Sequence, residues 1–132
     1  MKRSLTLFAA AVLCSAGAVR AATPAEACAN LGEARTQLVA MLGESNPAKL
    51  DALKAKVHAA SDKVDQDLAA MASGPDAAKA SAFKPVWEAF KATRETEIIP
   101  ALYAGDKDKA KGLATGVQAE RMKQMKGAMG CP

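Results

Sequence analysis

Apolar residues recur every three or four positions over most of this chain, the spacing that lines one face of an α-helix. The clearest case is Leu50, Leu53, Val57, Ala60, Val64, Leu68 and Met71. Asn46-Pro47 precedes this stripe as a helix start and Ser73-Gly74-Pro75 follows it as a stop. An earlier helix opens at Thr23-Pro24-Ala25-Glu26, where Thr23 caps, Pro24 takes the first turn and Glu26 completes a capping box. It carries Cys28, Leu31, Leu38 and Leu42 on one side and runs to about Gly43. A third helix starts between Asp76 and Ser81 and runs to about Tyr103, with Phe83, Trp87 and Phe90 on one face, then Ile98 and Leu102. Pro85 fits its first turn if the helix proper begins near Ser81, whereas Pro100 is expected to kink it and release the Thr96 carbonyl. Gly105-Asp106 then caps a fourth helix from about Lys107 to Ala128. Gly112 and Gly116 inside it permit close approach by a neighbour or ligand, or simply weaken the helix.

No sustained alternation of β-branched or aromatic residues supports a strand, so the expected fold is all-α. Four helices with short connections predict an antiparallel, up-down-up-down four-helix bundle. Such a bundle brings the start of the first helix to the end of the fourth, which is where Cys28 and Cys131 fall. A disulfide between them would close a loop of about 100 residues and stabilise by up to ~4.7 kcal/mol in the chain-entropy account. Free or intermolecular thiols are the alternative.

The N-terminus changes both compartment and charge. Lys2 and Arg3 precede an apolar stretch from Leu5 to Val19, and Val19-Arg20-Ala21 suits cleavage before Ala22. Residues 1–21 are therefore expected to be a secretory signal, too short in its apolar part for a membrane span. The expected product is a single domain over residues 22–132, soluble and periplasmic. Lys2, Arg3 and Arg20 leave with the signal and no acid does, so the formal charge falls from +4 to +1. Nothing then argues for a nucleic-acid partner or an anionic membrane surface.

Catalytic constellations are weak, and no enzyme activity is expected. The chain has one histidine, His58, beside the apolar stripe of the second helix. Neither Glu-x-x-His nor Cys-x-x-Cys-His occurs, so diiron and covalent haem sites have no support, and no cofactor is assigned. Met122, Met125 and Met129 share one helix face, where thioethers either fill core gaps or offer soft ligands to copper. A haem- or copper-binding bundle using His58 and these methionines, or a structural, chaperone-like bundle, are the alternative functions.

Two arginines stand out. Arg35 interrupts the apolar stripe of the first helix between Leu31 and Leu38, and Arg94 does so four residues after Phe90. Charges in a seam are costly unless paired. They either pair with Glu33, Glu95, Glu97 or Glu120, or snorkel to the surface, or wait in a pocket for a carboxylate or phosphate. The candidate ligand-binding set is therefore Arg35 and Arg94, with Trp87 and Phe90 as apolar walls.

The stretch Trp87-Glu-Ala-Phe-Lys-Ala-Thr-Arg94, then Ile98-Ile-Pro-Ala-Leu102 and Gly105-Asp106-Lys-Asp-Lys-Ala110, resembles part of the periplasmic four-helix-bundle sensor domain of methyl-accepting chemotaxis proteins. Leu31-Gly-Glu-Ala-Arg35 is similar to the arginine-bearing part of that domain's first helix. The resemblance implies a free-standing ligand-binding bundle that presents a small molecule to a membrane receptor or buffers it. It also implies a homodimer.

Overall fold

The computed structural model describes residues 21–132. The expected signal at residues 1–21, with Cys14, lies outside the described residues except for Ala21. Among the described residues the chain is all-helical, with four helices and no strand. The first is α1 (Pro24–Gly43) and the second α2 (Pro47–Met71). The third is α3 (Ala77–Thr93), continued by a π-turn at Arg94–Ile98 and α4 (Ile99–Tyr103). The fourth is α5 (Lys107–Thr115) followed by α6 (Val117–Met129).

Local chemistry explains the starts. The Thr23 hydroxyl accepts from the Glu26 amide at 3.2 Å, and the Glu26 carboxylate accepts from the Thr23 amide at 2.9 Å, the reciprocal bonds of a capping box. Asn46 Oδ1 accepts from the amides of Ala48 and Lys49, and Asp106 Oδ1 from that of Lys109. In the turn between α1 and α2, the Glu44 carboxylate accepts from the amides of Asn46 and Ser45, which holds its carboxyl below the usual range. Two helical stretches end in Schellman turns on left-handed glycines, Gly105 (φ 79°) and Gly130 (φ 74°). The second folds the chain back just before Cys131.

Three local expectations need correction. The third helix starts at Ala77, so Pro85 lies in its interior; Ser81 and Pro85 are both exposed, which leaves the Ser81 carbonyl on the wet side. Ahead of Pro100 the helix widens into a π-turn, in which the Ile99 amide reaches back five residues to the Arg94 carbonyl. The Thr96 hydroxyl donates to the Ala92 carbonyl at 2.8 Å there. The extra residue slips the register, so Ile98 and Ile99 are both buried. The fourth helix is not continuous but breaks at Gly116. A Cβ there would lie 2.8 Å from the Gly112 carbonyl oxygen, so only glycine fits. No neighbour approaches either glycine: nothing but that carbonyl comes within 4 Å.

The core runs through all four helices, with Leu31, Leu38, Val57, Val64, Ile98 and Met125 essentially inaccessible. Its centre is aromatic: Trp87 stacks on Phe90 at 5.7 Å between centroids and lies 6.3 Å from Phe83. Helix α1 packs mainly along α2 and α3 mainly along α6, while α1 meets α5 and α6 more sparsely. Cys28 and Cys131 are disulfide-bonded, with Cα atoms 5.6 Å apart across 103 residues of sequence. Among the described residues, no helix is long and apolar enough to cross a membrane.

Candidate functional site

The structure treats the two arginines differently. Arg94, at the start of the π-turn, is 2% exposed. Its Nε donates to Glu95 Oε1 at 2.8 Å and its Nη1 to the Ser61 hydroxyl at 2.8 Å. Ser61 in turn donates to the Val57 carbonyl at 2.7 Å, and the guanidinium carbon lies 6.0 Å from the Trp87 ring centroid. Glu95 Oε1 also meets His58 Nε2 at 3.0 Å. Arg94 is thus a structural cation, tying α2 to the π-turn through its Nε and Nη1.

The two proposed aromatic walls are likewise committed. Trp87 and Phe90 are fully buried. Trp87 Nε1 donates to Asp65 Oδ1 at 2.7 Å. The Phe90 carbonyl accepts from the buried Gln118 Nε2 at 2.9 Å, and Gln118 Oε1 accepts from Arg121 at 3.0 Å. Asp65 also holds Lys91, at 2.9 and 3.0 Å. Burial alone would lower the lysine pKa, but the bonds to Asp65 and Glu88 outweigh it and raise the value above 10.5. This α2–α3 face carries a cavity of about 400 Å³ whose rim has both signs, Asp65 and Glu88 against Lys84 and Lys91.

Arg35 lies between a different pair of helices. It is half-buried on α1 and lines two cavities that follow one seam, between α1 and the broken fourth helix. One, of about 450 Å³, is walled by Ala25, Ala29 and Gly32 on α1, Met122 and Lys126 on α6, and the Cys28–Cys131 disulfide. The other, of about 430 Å³, lies towards Val39, Leu42 and Gly43, with Lys111 and Ala114 of α5 opposite. Neither lining includes an acidic residue. Among the described residues the Arg35 guanidinium has no hydrogen-bond or ion-pair partner, and neither have the ammonium groups of Lys111 and Lys126. Arg94 lines neither cavity, so the two arginines do not converge.

Of the remaining candidates, Met125 and Met129 are buried in the core, while Met122 is 8% exposed and reaches the wall of the Arg35 seam. His58 is half-exposed and paired with Glu95. Among the described residues, no group of three or more His, Cys, Asp or Glu is placed to hold a metal ion. The chemistry on offer is recognition: an unanswered guanidinium with two flanking ammonium groups over apolar walls. A signal missed in the sequence is the small-residue stripe Ala25, Ala29, Gly32 leading to Arg35, whose spacings of four, three and three place it along one helix face beside this groove. Lys111 and Lys126 carry no comparable signal. Comparison with protein-family models, with curated proteins and with solved structures found no match.

Proposed function

We propose that this protein is an exported, non-catalytic, up-down-up-down helical bundle that binds a small anionic ligand in the seam between α1 and α5–α6. One observation carries the reading. Arg35 is a half-buried guanidinium with no protein partner among the described residues, lining two cavities with no Asp or Glu side chain in either wall. A guanidinium in that setting matches a carboxylate or phosphate oxygen pair bidentately, and partial desolvation strengthens the bond. Lys111 and Lys126 add positive potential at the two ends of the seam. The disulfide supports an oxidising compartment and fits the signal read at residues 1–21. A periplasmic sensor-like role, in which the loaded bundle is read by a membrane receptor, follows the resemblance of the Arg35 and Trp87–Ala110 stretches to chemotaxis sensor domains.

The test is a thermal-shift screen of the exported protein against small carboxylates and phosphates. Binders should raise the melting temperature of the wild type and of Lys123→Ala, a substitution of a 77% exposed cation on another face. They should not raise that of Arg35→Ala. Shifts that persist in Arg35→Ala would overturn the site.

A further inference from the structure

We infer that the ligand of the Arg35 seam is a medium-chain alkyl carboxylate, its head on Arg35 and its chain lying in the trough towards the disulfide; this rests on the reading of the seam as an anion site. Beyond Arg35 the trough offers almost no polar side chain. Its floor and sides are Ala29, Leu31, Gly32, Met122, the Cys28–Cys131 disulfide and Pro132, with Lys126 the one charged side chain among them. A short carboxylate would satisfy the guanidinium and leave this apolar surface wet. An attached alkyl chain would cover it.

Shape agrees with chemistry. Ala25 and Arg35, both lining the trough, are ten residues apart on α1, which at the rise of an α-helix makes it about 15 Å long. Its volume of about 450 Å³ lies within the ordinary range for one small ligand. The small side chains of Ala25, Ala29 and Gly32 keep the α1 side shallow, and nothing lies within 4 Å of where a Gly32 Cβ would be. The facing Met122 thioether is polarisable and flexible and accommodates a chain without a fixed shape, beside the fixed apolar edge of the disulfide. One guanidinium fork takes one carboxylate, so a singly charged head suits Arg35.

The experiment is calorimetric titration of the exported protein with butyrate, hexanoate, octanoate and decanoate, and with decan-1-ol, below their aggregation concentrations. Each buried methylene should tighten binding about four-fold, so decanoate should bind on the order of 100-fold more tightly than hexanoate. Ala29→Phe, which fills the trough, should weaken decanoate at least about ten-fold and leave butyrate unchanged. Equal affinity along the series, with loss in Arg35→Ala, would overturn the alkyl chain and keep the anion site. Decan-1-ol binding as tightly as decanoate, with no effect of Arg35→Ala, would overturn the anion site itself. Absence of heat with every probe at two well-separated temperatures, where the heat-capacity change of apolar burial would expose any binding, would overturn both.

Discussion

Two arginines interrupt the apolar stripes of these helices, and they end in opposite circumstances. Arg94 is enclosed, with Glu95, Ser61 and the face of Trp87 around it. Arg35 stands between two cavities, answered by nothing among the described residues. The same contrast holds for the faces they belong to. Between α2 and α3, Asp65 collects Trp87 and Lys91 and the charges cancel locally. Between α1 and the fourth helix, three cationic side chains and no Asp or Glu line the walls. A cation that folding has already used holds structure together; one that folding has left over is available to a ligand.

The largest expected effect concerns the covalent edge of the unanswered seam. Replacing Cys28 and Cys131 together with alanine should cost about 4 kcal/mol of stability by chemical denaturation, since 103 residues of separation are released. It should also weaken ligand binding, because the disulfide forms part of the trough wall. Unchanged affinity would detach the staple from the site.

Next comes the arginine pair. Arg94→Met should destabilise by about 2–3 kcal/mol, through loss of two charge-assisted bonds and strain on the half-exposed Glu95 and His58. Arg35→Met should stay within about 0.5 kcal/mol of wild type, as expected where no bond is lost. Equal losses in denaturant titrations would erase the distinction between them.

The glycines of the fourth helix give a smaller contrast of opposite sign. Gly116→Ala should cost about 1–3 kcal/mol, because its Cβ meets the Gly112 carbonyl oxygen. Gly112→Ala meets nothing and should gain up to about 1 kcal/mol in helix propensity. Thermal denaturation of both variants reads the pair.

The smallest effect lies on the self-neutralised face. Lys91 has a raised pKa when folded, so its contribution is complete below the ordinary lysine value of 10.5 and disappears as pH rises through the raised value. The melting temperature should therefore decline more steeply above pH 10.5 in the wild type than in Lys91→Met. Parallel profiles would count against the Lys91–Asp65 pair.

Much of the fold was legible because its determinants are local. Thr23-Pro24 and Asn46-Pro47 specify helix starts through caps that need no tertiary partner, and both appear as expected. The cysteine pair was legible because Cys28 and Cys131 are the two cysteines left beyond the expected signal and fall at the first and last helices. The π-turn was not: a one-residue register slip is decided by whether Ile98 and Ile99 can both be buried, which is a tertiary question. The break at Gly116 was visible as weakness but not as a division of the helix in two. For the site, periodicity marked Arg35 and Arg94 equally, since both occupy apolar register. Only packing separates them: Ser61 comes within reach of Arg94 through the meeting of α2 and the π-turn, while Glu95 is its neighbour in sequence. The aromatic walls were misplaced for the same reason: Trp87 and Phe90 face the interior, not a cleft.

The central claim, that Arg35 and not Arg94 receives the ligand, is tested most directly by following the two guanidinium Nε–H signals by NMR during titration with decanoate. Arg35 should shift progressively and saturate while Arg94 stays in place. A saturating shift at Arg94, or an unmoved Arg35 at full occupancy, would contradict the account.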